Sequence, residues 1–119
     1  MHEASIIPLQ EVFGANNGKL LVLSWGGTYG VIRTAVAQSI AAGHSVAHAH
    51  LRFLNPFPRN LGEILAQYDQ VLVPELNNGQ LAFLIQGQFA RKVLSYRNLN
   101  ARPLKIADVR VEIDKALGL

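Results

Sequence analysis

The stretch that most constrains the fold is Leu20 to Gly30, where an apolar run broken only by Ser24 meets Gly26-Gly27 and then a helical repeat. A continuous run of this kind suits a parallel strand covered on both faces better than a half-exposed antiparallel one. The two glycines permit positive φ or a close backbone approach, and Thr28 stands where an N-cap accepts from the first helical amides. The reading is strand, tight turn, helix, with a buried central strand. On that reading Gly27→Val is expected to damage folding or assembly.

Glycine turns of this type often hold phosphate, yet the two best-known versions fail here. No lysine follows Gly26-Gly27 before Lys92, so there is no Walker loop. A dinucleotide fingerprint would want glycine where Trp25 stands and an acid near Leu51-Arg52. What remains is either a sharp structural connection or an anion or thioester site.

Downstream of Thr28, Val31, Ile32, Ala35, Val36, Ser39 and Ile40 keep helical spacing, and Gly43 sits where a left-handed C-terminal cap is expected. Val46 to Leu51 is the next strand, with His48 and His50 on one face. His-x-His on a strand is able to chelate zinc. With no cysteine in the chain and no carboxylate after the pair before Glu63, packed or hydrogen-bonded histidines are the stronger reading.

Asn55-Pro56-Phe57-Pro58 forces an extended connection. Asn60 and Glu63 have capping-box-like spacing ahead of Leu61, Ile64, Leu65 and Tyr68, a short amphipathic helix. Gln70 to Val73 is a further buried strand, broken at Pro74, so that Glu75 lands just past its C-terminal end, where open parallel sheets bind ligands. Asn77-Asn78-Gly79 turns into a helix with Leu81, Leu84, Ile85 and Phe89, and Val93 to Tyr96 is a last strand. Ile106, Val109, Ile113 and Leu117 fit a closing helix, although Val109, Val111 and Ile113 would also fit a strand.

At the front, Met1 to Pro8 is read as a leader or severed linker, with one domain over residues 9–119. Leu9 to Phe13 is a short candidate strand ending at the Gly14–Gly18 turn; beside Leu20 to Trp25 it can lie only antiparallel, though it could pair elsewhere or be free. The strand and helix alternation defines an α/β fold, a three-layer α/β/α sandwich of about four parallel strands plus one possible antiparallel edge strand.

Composition excludes several classes. A net charge of +3 from scattered lysines and arginines gives no nucleic-acid or membrane patch. The absence of cysteine rules out cysteine-ligated iron–sulfur clusters in this chain. No membrane-length apolar stretch occurs, so a cytoplasmic domain is expected. No nucleophile elbow, acid pair or triad is identifiable.

Three segments together carry a resemblance: Ser24-Trp25-Gly26-Gly27-Thr28-Tyr29-Gly30, Leu51-Arg52-Phe53-Leu54-Asn55-Pro56-Phe57-Pro58, and Val73-Pro74-Glu75-Leu76-Asn77-Asn78-Gly79-Gln80-Leu81. In this order they resemble the C-terminal domain of a 2-oxoacid:ferredoxin oxidoreductase α subunit, nearest the 2-oxoglutarate branch and similar to domain II of pyruvate:ferredoxin oxidoreductase. The resemblance covers about Gly18 to Leu117. It implies a transketolase C-terminal-domain-like fold, a mixed sheet of about five strands with the first antiparallel, in a subunit fragment, within an enzyme using thiamine diphosphate, Mg and an iron–sulfur cluster, with coenzyme A and ferredoxin as partners of the complex. None of those cofactors has matching ligands here, so no catalytic, cofactor-binding or metal residue is expected in this chain. Its expected partners are the remaining α-subunit domains and a β subunit, with Gly26, Gly27, Thr28, Asn55, Glu75 and Asn77 as candidate interface or crevice residues. The alternative is a stand-alone ligand-binding or subunit-interaction module of the same fold.

Overall fold

The computed structural model describes residues 7–75, 79–97 and 103–119. Four strands, β1 (Gly18–Trp25), β2 (Val46–Leu51), β3 (Tyr68–Glu75) and β4 (Leu94–Arg97), form one sheet in the order β2-β1-β3-β4, with every neighbouring pair parallel. The helices are α1 (Tyr29–Ala41), α2 (Leu61–Ala66), α3 (Gln80–Phe89) and α4 (Ile106–Ala116), the last settling the closing segment as helix.

β1 is apolar throughout because it is central and both its faces are covered. Leu20 and Val22 point into one core with Ile32, Ala35 and Val36 of α1 and Val109 and Ile113 of α4. Leu21 and Leu23 point into the other, with Leu61 and Leu65 of α2 and Leu81 and Ile85 of α3. The three-layer sandwich is therefore as expected. Gly43 ends α1 with φ +92° and donates its N–H to the Ile40 carbonyl at 2.9 Å, the cap its position predicts.

The sheet differs from expectation at its edges. It has four parallel strands among the described residues, not about five with an antiparallel first member. Both flanks of β1 are taken by β2 and β3, so the N-terminal segment meets the free edge of β2 instead. There it makes one antiparallel bridge, Phe13 N–H to the His48 carbonyl at 2.8 Å and His48 N–H to the Phe13 carbonyl at 2.9 Å.

The side chain of Asn60 is redirected to the same purpose. It makes no capping bond to α2; its Oδ1 accepts from the Gln10 amide at 2.8 Å and its Nδ2 donates to the Gln10 carbonyl at 3.0 Å. Tyr68, placed by spacing on α2, begins β3.

Pro74 does not break β3, which continues to Glu75 paired with β4. Pairing of β3 with β1 instead stops at Val22 and Leu72, and the missing amide of Pro74 accounts for the loss. The ends of β1 and β3 thus part, and they do so where α1 leaves toward β2 and α3 toward β4. No helix of the described residues is long and apolar enough to cross a membrane.

Candidate functional site

The parting of β1 and β3 makes a crevice at the carboxyl ends of the strands, the position at which doubly wound sheets bind ligands. Here the protein's own carboxylate occupies it. Glu75, 3% exposed, accepts from the Leu81 amide at 2.8 Å through Oε1 and from the Ala82 amide at 3.2 Å through Oε2. The Trp25 indole N–H reaches Oε1 at 3.4 Å. The unpaired amides at the start of α3 are thereby satisfied by a negative charge in a place that favours one. Spacing had put Glu75 beyond the strand; the structure makes it the strand's last residue and the lock on α3.

Gly26 to Thr28 form a short 3₁₀ turn on the opposite lip. The left-handed backbone falls on Gly26 alone, with φ +72°; Gly27 has no positive φ, and a Cβ on it would meet nothing within 4 Å. The expectation of damage from Gly27→Val is corrected accordingly, because the strain argument belongs to the preceding residue. Thr28 does not cap α1 either: its hydroxyl donates to the Trp25 carbonyl at 3.2 Å, which closes the turn backwards. Gly26, Gly27 and Asn55 are exposed along this end of the sheet, and Thr28 is buried beneath it. Asn77 lies outside the described residues.

A second constellation lies on the α1 face of β1 and β2. Ser24 and His50 are register partners, as are Val22 and His48. Alternation puts Ser24, His48 and His50 on one side, where the Ser24 hydroxyl lies 2.7 Å from His48 Nε2 and 2.8 Å from His50 Nδ1. Arg33, one turn after Tyr29 on α1, donates Nε–H to His48 Nδ1 at 3.0 Å. Its Cζ stands 4.2 Å from the Phe13 ring centroid and 4.8 Å from that of Tyr29.

Burial, then Arg33, then His50 lower the pKa of His48 to about 3, so its ring is neutral near pH 7. Burial first, then Arg52 and Arg33, also lower that of His50. These facts set the direction of the bonds. Arginine has no acceptor, so Nδ1 of His48 accepts and its single proton is on Nε2, donated to Ser24. The Ser24 hydroxyl then gives its own proton to Nδ1 of His50, which leaves His50 with N–H at Nε2. The line runs Arg33 to His48 to Ser24 to His50.

Sequence reasoning read the two histidines as hydrogen-bonded and did not single out Ser24, Arg33 or Tyr29 as their partners. The signal was present: Ser24 is the one polar interruption of the apolar run, in register with the histidine strand. Among the described residues no three His, Cys, Asp or Glu side chains gather as a metal site.

The geometry defines a doubly wound parallel α/β domain in which Glu75, between the ends of β1 and β3, is bonded to the start of α3. No protein-family model matches the chain. It is 49% identical over 79 residues, 66% of its length, to the 2-oxoglutarate oxidoreductase subunit KorA of Mycobacterium tuberculosis, of which it spans 12%. It superposes with a TM-score of 0.88 and 25% identity, over 95% of its length, on a 2-oxoglutarate:ferredoxin oxidoreductase from Magnetococcus marinus with 2-oxoglutarate, coenzyme A and succinyl-CoA bound, covering 20% of that chain. A split-gene transketolase, an inactive β4 tetramer, shares the fold at a TM-score of 0.65 and 17% identity over 85% of this chain and 39% of its own. The chain thus has a transketolase-like fold. By sequence it is similar to part of a 2-oxoglutarate oxidoreductase subunit, and by fold to part of a 2-oxoglutarate:ferredoxin oxidoreductase chain.

Proposed function

We propose that residues 9–119 act as the non-catalytic C-terminal domain of a cytoplasmic 2-oxoacid:ferredoxin oxidoreductase α subunit, with 2-oxoglutarate as the oxoacid. Its role is to support assembly of an enzyme that decarboxylates the oxoacid on thiamine diphosphate and yields acyl-CoA and reduced ferredoxin. The observation that carries this reading is the 49% identity over 79 residues to the KorA subunit. Thiamine diphosphate, magnesium and the iron–sulfur cluster belong on this reading to other domains. A chain without cysteine offers no thiolate for a cluster, and its one buried carboxylate at the crevice is committed to α3.

The lip of Gly26, Gly27 and Thr28, with Asn55 and Glu75, is the face assigned to the neighbouring domains and the β subunit, and Asn77, outside the described residues, is proposed as a further contact residue. Open space over Gly26 and Gly27 supports that assignment, since a partner backbone can approach there closely. Glu75 contributes by fixing α3 rather than by touching a partner.

The test is made in the whole enzyme, comparing the complete α subunit with one lacking this segment, each co-expressed with its β subunit. Size-exclusion chromatography should show loss of the complex on deletion, and the complete enzyme should reduce ferredoxin with 2-oxoglutarate and coenzyme A. Normal assembly and turnover without the segment would refute the proposal, as would ferredoxin reduction by the 119-residue chain alone.

A further inference from the structure

Beside the histidine line, on the outer edge of β2, is a cleft of about 350 Å³ that includes Glu11, Tyr29, Arg33, His50, Arg52 and Phe53 in its wall. We propose that this cleft binds a small organic oxyanion, with a carboxylate or phosphate head against Arg33, Arg52 and His50 and a flat apolar body between Tyr29 and Phe53. The site is separate from the crevice at Glu75 and requires no assembly with other domains, so it goes beyond the function proposed above.

The volume lies in the range of small-molecule sites, which combine apolar walls with a few convergent polar groups. The polar groups here favour an anion. The wall carries two guanidinium groups and one carboxylate, that of Glu11, and among the described residues the only ion pair is the distant Lys115–Glu112. Both arginines lie near enough to His50 to oppose its protonation, which places their positive charge around its ring.

His50 adds a donor rather than an acceptor. Its Nδ1 accepts from Ser24, as the line from Arg33 requires, so Nε2 carries the proton left for a ligand. A neutral imidazole held in this tautomer offers an N–H to an oxyanion and nothing to a cation.

Arg33 is already positioned. Its Nε–H is anchored on His48 and its guanidinium carbon sits against the Phe13 and Tyr29 rings, so binding costs it little further ordering. The apolar walls account for the second half of the ligand. Tyr29 and Phe53 are large side chains left 44% and 41% exposed at this cleft, the former edge-on to His50 with ring centroids 5.0 Å apart.

Calorimetric titration of the 119-residue chain in phosphate-free buffer, with benzoate, phenyl phosphate and benzyl alcohol as probes, tests the proposal. Saturable binding of benzoate or phenyl phosphate is expected, with the uncharged alcohol weaker by about tenfold or more, as loss of charge-assisted bonds implies. The stronger of the two anions identifies the head group as carboxylate or phosphate. Arg52 is exposed, so Arg52→Gln leaves the fold intact and should weaken the anion about tenfold, while Arg52→Lys loses less because charge remains. The Nε2–H resonance of His50 should shift on adding the anion. Absence of saturable binding by both anions, or equal affinity in Arg52→Gln, would overturn the proposal.

Discussion

The two faces of the same pair of strands differ sharply. Toward α2 and α3, β1 and β2 present Leu21, Leu23, Ala47, Ala49 and Leu51, an unbroken dry surface. Toward α1 they begin alike with Leu20, Val22 and Val46, then turn polar at Ser24, His48 and His50. The dry face is stabilised by area removed from water and is insensitive to direction. The polar end holds together only because each donor meets an acceptor in order, and a buried polar group left without one is costly. One alternation pattern thus yields a core whose stability depends on packing and not on protons, and a line that tolerates no change of proton count.

Substitution on each face should separate the two kinds of stability. The largest effect is expected from Leu21→Ala, fully buried on the dry face, at about 2–5 kcal/mol in chemical denaturation and nearly the same at every pH from neutral downward. Ser24→Ala removes few atoms but strands the Nε2–H of His48 and Nδ1 of His50. A loss of about 1–3 kcal/mol is expected, and a cost close to zero would mean the line is ornamental.

Acid distinguishes the faces next. The pKa of His48 falls from 6.5 in the unfolded chain to about 3 in the fold, so between those values the unfolded chain holds the extra proton. The contribution of the neutral ring is complete above pH 6.5 and is lost as pH falls toward 3, at up to ~1.4 kcal/mol per pH unit. His50 acts in the same direction. Stability curves of the wild type and His48→Gln, measured between pH 7 and 4.5, should differ in slope, with the variant flatter and its deficit shrinking as pH falls.

The smallest effect is at the crevice lip. Gly26→Ala should cost about 1 kcal/mol because its φ is +72°, whereas Gly27→Ala should stay within about 0.5 kcal/mol; thermal melts of the two variants would reverse if the left-handed residue were misplaced.

Much of this architecture was legible from periodicity. The run Leu20 to Trp25 announced a central parallel strand, and the helical spacing after Thr28 with Gly43 at its end announced α1, because burial of one stripe or two faces leaves a direct trace in sequence. What was not legible depended on partners distant along the chain. Asn60 and Thr28 have capping chemistry, yet the first is drawn to the backbone of Gln10 and the second to the carbonyl of Trp25. Pro74 looked like a strand end because proline cannot donate; it fits where β3 has parted from β1. Glu75 was read as lying just past the strand; the fold makes it the last residue of β3 and brings α3's amides onto its carboxylate. Arg33 and Tyr29 were invisible for the same reason, since helix spacing names a face and not its neighbour.

The polar end is a directed line with both histidines neutral and protonated at Nε2. Long-range ¹H–¹⁵N correlation spectra of the histidine rings measure this directly. At pH 7 two neutral rings are expected, His48 and His50, each with a protonated Nε2 and an unprotonated Nδ1, with His48 unchanged down to pH 5. A proton on Nδ1 of either ring at pH 7, or an imidazolium at His48 by pH 6, would contradict it.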